Sequence, residues 1–457
     1  MNVLTKGRFS FPGGVHPPEK KDLACESPIQ PGPAPTEVAV MLSQHLGAVC
    51  NPLVKKGDAV QAGRKIADRD AFVSAPDHSP INRKGKEIAL RSHPVLGRSL
   101  AVIIEALPND PTGRSYFTLS DEFDPKRYSA EQIGQAVREA GIVGMGGAGF
   151  PTRVKLEPNP QQPKETLIIN GCECEPYITC DYRIMLEWTK QIIAGIRLAK
   201  KASGCSRVFI AIEDNKPQAI EVMSAAVKDS AGGDNITVVP MKTKYPQGGE
   251  RQLIRAILKK NVPTGGIPPM IGVVVLNMAT TAAIAEAVVV GLPLTHRVVT
   301  VTGEAIARPG NYYVPIGTSV QDLIDFCGGV TERCAKVVLG GPMMGIAIAD
   351  LSTPVTKTTN AVTVLTKEQI GRAKFAGRQT ACIRCGRCLE VCPENLSPTK
   401  IAHAVKHNLL EAAERNYFMS ACIQCGCCSY VCPANIELTG YIKTGKIFIA
   451  RQKKKMA

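Results

Sequence analysis

The chain has 457 residues, 44% of them hydrophobic, with one Trp, 17 cysteines and a formal net charge of +15. That length is too great for one ordinary core, and the composition is that of a soluble globular protein, so several packed domains are expected. The basic excess comes without a DNA- or RNA-binding motif or aromatic interleaving, which argues against a nucleic-acid partner.

The opening "MNVLTKGRFSFPGGVHPP" places Lys6, Arg8 and turn residues where a signal peptide has an apolar run, so none is expected. Seven prolines fall within the first 36 residues, predicting an extended leader (1–36) that wraps rather than packs. From Glu37 onward, short alternating apolar runs punctuated by Gly57-Asp58 and Gly63 predict a small hairpin-rich domain over 37–110. Ser129-x-x-Gln132 reads as a capping box opening a helix to about Ala140.

Between Thr166 and Val290 strands and helices alternate. "TLIIN" precedes a helix carrying Ile184, Trp188, Ile192 and Ile196 at i, i+4 spacing. "RVFIAI", a helix over Pro217–Lys228, "ITVVPMK" and a helix over Glu250–Lys259 follow. That rhythm predicts a mainly parallel α/β sheet. The segment Ile271–Leu294 is long enough to mimic a membrane span, but Asn277, Thr280, Thr281 and Glu286 interrupt it. Glu286 near the bilayer centre would be costly, so a strand over Gly272–Leu276 and a core helix over Thr280–Val290 are the better reading. From Arg297 the pattern is β-rich to Thr366, with one helix in "SVQDLIDFCGG", and the remainder reads as helix and cysteine loops.

Nine cysteines crowd between Cys382 and Cys432, in "CIRCGRCLEVCP" and "CIQCGCCSYVCP". Without a secretory leader, such density points to metal rather than disulfides. The candidate ligands are Cys382, Cys385, Cys388 and Cys392, then Cys422, Cys425, Cys428 and Cys432. Three cysteines at three-residue spacing wrap one face of a [4Fe–4S] cubane. The fourth, followed by Pro393 or Pro433, ligates the other cluster in two-cluster ferredoxins. Two crossed sets follow: Cys382, Cys385, Cys388 and Cys432 for one cluster, and Cys422, Cys425, Cys428 and Cys392 for the other. Zinc modules use separated C-x2-C pairs instead. Cys427 lies off the spacing and is read as a small packing residue. Residues 371–457 hold 14 Lys/Arg against 5 Asp/Glu. Two clusters with four thiolates each bring roughly −2 apiece. What remains, Lys453–Lys455 included, suits an acidic partner or an anionic membrane surface.

The second signal is "GMGGAGFPTRVKL". Its Gly144, Gly146 and Gly149 match G-x-G-x-x-G, but a dinucleotide fingerprint follows a strand, and here a capped helix precedes. A glycine-dense loop still lets backbone N–H groups approach a phosphate or flat ring, and Lys155 is placed to meet an anion. The alternative is a tight structural turn. "IINGCECEPYITCDYR", "YPQGGE" and "LNMATT" complete the set. Cys172, Cys174 and Cys180 in the first of these have no adjacent His or fourth Cys to make a further metal site.

These four segments resemble the flavin- and NADH-binding subunit of respiratory complex I. The resemblance implies FMN-pocket roles for Gly144, Gly146, Gly147, Lys155, Asn170, Glu173, Tyr245, Gly248 and Asn277. Phe150, Glu175 and Glu250 match positions facing the dinucleotide, with Phe150 and Glu250 orienting nicotinamide. Met145, Cys172 and Gly249 depart from the family's Arg, Asp and Glu. Over the whole chain, "FPGGVHPP", the N-terminal hairpins, the glycine loop, "VTGEAIARPGNYYVPIGTS", "GGPMMG" and the twin cysteine runs occur in the order seen in the C subunits of Rnf electron-transport complexes, and the chain is similar to that family.

The resemblance implies a multidomain α/β fold. Its parts are a barrel-sandwich of biotinyl/lipoyl type over 37–110 without a carrier lysine, because Ala71-Phe72 follow Asp70 directly, and a Rossmann-like FMN/NADH domain over 120–295. A β-grasp (SLBB-like) domain over 296–365 and a helical two-cluster ferredoxin domain over 366–457 complete it. It implies non-covalent FMN, NAD(H) as substrate, two [4Fe–4S] clusters, the other subunits of the complex as partners with ferredoxin reached indirectly, and a peripheral place on the cytoplasmic face of the bacterial inner membrane. The reaction implied is ferredoxin:NAD+ oxidoreduction coupled to Na+ or H+ transport. One alternative is the cobalamin-reducing flavoprotein of microcompartments, whose flavin loop lies near the N-terminus, whereas some 140 residues precede it here. Another is a non-catalytic iron–sulfur adaptor.

Overall fold

The structure, a computed structural model, describes residues 8–106, 117–120, 123–229, 235–370 and 379–456. The side chains of Lys453–Lys455 and the outer edge of the first hairpin domain, 107–110, lie outside the described residues.

In the N-terminal domain a four-stranded antiparallel sheet (Glu37–Met41, Gly97–Ala106, Arg83–His93, Ala59–Val60) faces a three-stranded one (Asn51–Pro52, Lys65–Asp68, Asp77–His78). Val38, Val40, Val60, Ile66, Val102 and Ile104 fill the space between them. The alternate residues Ala39, Met41, Ala101 and Ile103 are buried on the other face, so both sides of this sheet are covered. The sequence led us to expect short runs throughout, but Arg83–His93 and Gly97–Ala106 form one long hairpin.

The middle domain is a four-stranded parallel sheet in the order Ile236–Met241, Arg207–Glu213, Thr166–Gly171, Val273–Asn277. Along Thr166–Gly171, Leu167 and Ile169 face the core shared with Ala130–Glu139, Thr189–Ser203 and Met278–Val290, while Ile168 faces Leu253, Ile254 and Ala256 of Glu250–Leu258. Helices therefore cover both faces, as parallel sheets require. The capping box at Ser129 and Gln132 is present. The apolar stretch near 271–294 is a strand and a 13-residue helix, and among the described residues no helix is long and apolar enough to cross a membrane.

The helix expected to carry Ile184, Trp188, Ile192 and Ile196 is broken. It divides into Cys180–Glu187 and Thr189–Ser203 at Trp188. The Thr189 hydroxyl donates to the Met185 carbonyl at 2.7 Å, and such back-bonding competes with the helical ladder and bends it.

The third domain is a six-stranded mixed sheet in the order Ile29–Pro31, Gly310–Pro315, His296–Thr302, Ala361–Thr366, Cys334–Leu339, Ile346–Ile348, packed on the helix Val320–Phe326. Its first strand belongs to the leader, which packs as well as wraps. Phe9 bridges to Met241 at the edge of the parallel sheet, Val15 pairs with Tyr245, and Ile29 aligns with Asn311. The leader thus covers edges of two sheets that would otherwise present unpaired backbone.

The C-terminal domain repeats itself at an offset of forty residues, from Cys382 to Cys422. Arg384 and Gln424, Gly386 and Gly426, and Asn395 and Asn435 all have positive φ. Short helices Arg387–Glu390 and Cys427–Tyr430 and longer ones Pro398–Lys406 and Leu438–Met456 correspond. The segment connecting the two runs forms two helices, Pro398–Lys406 and Leu410–Arg415, because Asn408 at φ 56° turns the chain out of the first.

Three domains meet on one buried ammonium. Lys357 Nζ, in the third domain, donates to the carbonyls of Pro76 (2.6 Å) and Gly141 (2.9 Å) and pairs with Asp77 Oδ1 at 3.0 Å. Gln44 bonds both Asp77 and the Lys357 backbone. Lys357→Met leaves the Asp77 carboxylate bare in the interior and is expected to cost about 3–5 kcal/mol. Urea denaturation checks this, and adding Asp77→Leu should recover part of the loss, since no bare charge then remains.

Candidate functional site

A parallel sheet aims its carboxyl ends at ligands, and the crevice lies where the strand order reverses. Here the chain enters at Thr166–Gly171, moves outward through two strands to one side, then returns to add Val273–Asn277 on the other. The switch point therefore lies between these two strands, and Asn170 and Asn277 are register partners at their carboxyl ends. A cavity of about 650 Å³ opens there. All twelve of the cofactor residues expected from the sequence line it: Gly144, Gly146, Gly147, Phe150, Lys155, Asn170, Glu173, Glu175, Tyr245, Gly248, Glu250 and Asn277.

The glycine loop is closed by its own backbone. Gly144 N donates to Phe150 O at 2.8 Å, and Met145 N donates to the Thr280 hydroxyl at 2.9 Å. Gly147 at φ 132° has nothing within 4 Å of where a Cβ would stand, so its backbone is bare to the cavity in a conformation that favours glycine. Gly248 is the reverse case. A Cβ there would meet Cys172 O at 2.2 Å, because the 246–249 turn lies directly on the 170–174 loop. Asn170 Nδ2 donates to Gly248 O at 2.8 Å and locks that contact. Asn277 Oδ1 caps the helix Met278–Val290, and its amide donates to Asp181 Oδ2 at 2.6 Å.

Lys155 Nζ contacts Glu250 Oε1 and Val275 O, each at 3.1 Å, so the cation stands at the carboxyl end of the strand beside the carboxylate. The Glu175 carboxylate is held against the third domain. It accepts from the amides of Met343 (3.1 Å) and Met344 (2.7 Å) and holds the 340–345 loop of the third domain as a cavity wall. Burial pushes its carboxyl up to about 7 despite those donors. Cys172, Cys174 and Cys180 are directed to separate partners: Ala211 O, Gly248 N and Glu173 Oε1.

The cysteine runs reach this cavity. Tyr245, 1% exposed, donates its hydroxyl to Cys425 O at 2.8 Å. Ile423 lines both the large cavity and a small one enclosed by Cys392, Cys422, Cys425 and Cys428. Cys427 lines it too; with Cys427 set aside for its spacing, the others are one cysteine from the first run and three from the second, as in the crossed set expected from the sequence. Backbone amides of Leu396, Gln424 and Ile436 donate to Cys392, Cys422 and Cys432 sulfurs at 3.3 Å, 3.3 Å and 3.4 Å. Such donors favour thiolate and tune cluster potentials. Cys382 and Cys385 are exposed, and Cys388 and Cys432 are buried. Cys427 is buried against Val15 and Tyr245, the packing role its spacing indicated. Sequence reasoning missed Ile423, Asp181, Thr280 and the hairpin tip Pro94-Val95 at the cavity edge. Asp181, Thr280 and Ile423 sit inside the motif segments but off their matched positions, and Pro94-Val95 comes from another domain.

The bare glycine backbone, the paired asparagines and the four-thiol set fit FMN and [4Fe–4S] clusters. Family models agree domain by domain: the RnfC barrel sandwich hybrid domain matches residues 9–108, the Nuo51 FMN-binding domain 137–286, the SLBB domain 298–347 and the 4Fe-4S dicluster domain 377–433. Fold and site thus define an electron-transfer protein that carries flavin and iron–sulfur clusters. The C subunit of the proton-translocating ferredoxin:NAD(+) oxidoreductase complex of Clostridium ljungdahlii is 42% identical over 89% of this chain and 87% of its own. Its counterpart in the Na(+)-translocating complex of Acetobacterium woodii is 41% identical over 90% of each. A chain of an NAD+-reducing [NiFe]-hydrogenase shares the fold, with a TM-score of 0.50 and 21% identity over 69% of this chain and 64% of that one. This chain belongs to the family of C subunits of ion-translocating ferredoxin:NAD(+) oxidoreductase complexes.

Gly248→Ala is expected to force the two loops apart, at about 1–3 kcal/mol, and to weaken flavin retention. Gly134→Ala, in a helix with open space around it, should leave retention unchanged. Flavin fluorescence of the purified variants measures both.

Proposed function

We propose that this chain is the NAD(H)-handling subunit of a membrane-bound, ion-translocating ferredoxin:NAD+ oxidoreductase, lying peripherally on the cytoplasmic face of the membrane. The observation that carries the reading is the shared wall. Tyr245 and Ile423 border the flavin-sized cavity on one side and the Cys392/Cys422/Cys425/Cys428 set on the other. Gly144, Gly146, Gly147, Lys155, Asn170, Glu173, Tyr245, Gly248 and Asn277 hold FMN. Phe150 and Glu250 place the nicotinamide, and Glu175 fixes the 340–345 wall. FMN supplies conversion between a two-electron hydride and single electrons. The chain's own residues bind and orient. Lys155 meets phosphate in place of its contact with Glu250, and the glycine backbone presents N–H groups. Tyr245 keeps the cluster loop against the cavity.

The second-run set is the near cluster, and Cys382, Cys385, Cys388 and Cys432 form the far one, its exposed cysteines turned toward a partner protein. A cobalamin-reducing role or a docking-only adaptor has no observation in its favour.

Purified, cluster-loaded protein should take up about one FMN per chain, a single-site expectation, and reduce it with NADH. Glu250→Ala should raise the NADH requirement while flavin and clusters stay in place. Absence of flavin from the chain, with flavin found on a partner, overturns the reading. For the clusters, Cys392→Ser should diminish the signal of the second-run cluster and spare the first, because each thiolate lost opens one cubane. EPR with iron counting decides. Loss of the first-run cluster alone would show that each run holds its own.

A further inference from the structure

Two carboxylates on the cavity floor have a use beyond shaping it. Asp181 opens the helix Cys180–Glu187, Glu173 follows the strand Thr166–Gly171, and both line the cavity. Asp181 N donates to Glu173 Oε1 at 2.8 Å, and the Cys180 thiol approaches the same oxygen at 3.5 Å. Asp181 Oδ2 takes the Asn277 amide at 2.6 Å. Glu173 Oε2 is buried with no hydrogen-bond partner, an acceptor with room for a proton.

The cations around the pair are engaged elsewhere. Lys216 Nζ pairs with Glu213 Oε2 at 3.0 Å, Lys21 Nζ donates to the Glu175 and Ile178 carbonyls at 2.9 Å and 2.6 Å, and Arg297 donates to the Lys357 and Met145 carbonyls. Cys180 is held as the thiol by burial. On the remaining neighbours of the helix, Tyr182 donates to Gln218, and Arg183 pairs with Glu187. Two carboxylates share one desolvated site, and the charge of Glu173 disfavours ionisation of Asp181. Burial, and after it the charge of Glu173, push the Asp181 carboxyl up to about 7.

A hydride is one proton and two electrons. When the electrons leave singly for iron–sulfur clusters, the proton stays behind and needs a base whose affinity suits neutral pH. We propose that the Glu173–Asp181 pair is the proton store of this site, taking the proton left when a hydride's two electrons depart one at a time and returning it in the reverse direction. The step balances: one hydride enters, two electrons go to the clusters, and one proton goes to a carboxylate oxygen and then to solvent through the cavity mouth. The proposal rests on the flavin reading above, since it needs a hydride acceptor in the cavity.

Asp181→Asn and Glu173→Gln each keep an oxygen for the donor now bound and remove the charge. In the flavin-free native protein, protonated-carboxyl infrared absorption should titrate near pH 7 from Asp181 and Glu175 together, and Asp181→Asn should remove the Asp181 part and leave that of Glu175. In the flavin-loaded protein, the midpoint potential plotted against pH should bend near pH 7. Either substitution should move or remove the bend, measured at saturating flavin so that any change in flavin affinity does not enter the comparison. A bend unmoved in both variants, or a carboxyl band unaffected by Asp181→Asn, overturns the proton store alone. Failure of the native chain to take up FMN overturns the store and the flavin reading together.

Discussion

The architecture turns on a lysine ammonium buried away from solvent. Lys357 is 1% exposed and its partner Asp77 0% exposed, so the attraction between them acts in a medium that screens it weakly. Desolvating both charges is expensive, and the Pro76 and Gly141 carbonyls offset that cost by completing the shell. Because the acceptors come from two other domains, the shell closes in one relative placement only. The cavity needs that fixed placement, since its lining is drawn from the hairpin at Pro94-Val95, the parallel sheet, the 340–345 loop and Ile423 of the cysteine domain. A space of about 650 Å³ has no packing of its own to hold it open; contacts elsewhere have to do so.

Tyr245 is the second fixed point. Its backbone pairs with Val15 in both directions, at 2.8 Å and 2.9 Å, and its hydroxyl reaches Cys425 O. Gly14 N meanwhile donates to Val391 O, next to Cys392. The leader is thus clamped between the parallel sheet and the cysteine domain. Electron transfer needs short, constant separations, and this arrangement supplies constancy through backbone hydrogen bonds rather than long flexible side chains.

The legible parts of the fold were those written in local patterns. Strand–helix alternation gave the parallel sheet because each element's apolar period is a property of its own residues. The cysteine spacing pointed to two [4Fe–4S] clusters, and the dicluster domain over 377–433 agrees. The cavity lining was legible through motif resemblance, and the Asn170–Asn277 register accounts for why those two segments belong together. The break at Trp188 was hidden, because the apolar stripe continues through it and a hydroxyl bond decides the matter. So was the strand Ile29–Pro31: prolines argue for an extended chain but do not say which sheet edge receives it. Asp181 and Ile423 lay inside motif segments but off their matched positions, and only the folded chain brings them to the cavity wall.

The leader also sets an order of events during synthesis. Phe9, Val15 and Ile29 leave the ribosome well before their partners Met241, Tyr245 and Asn311, which are translated hundreds of positions later. At typical elongation rates that interval is on the order of tens of seconds. Through it the segment stays unpaired, and the prolines at 28, 31, 33 and 35 keep it from recruiting stray strands. The Gly14–Val391 bond cannot form until the first cysteine run is out of the exit tunnel. The leader, made before its partners, therefore docks late, and its docking ties the flavin cavity to the cysteine domain.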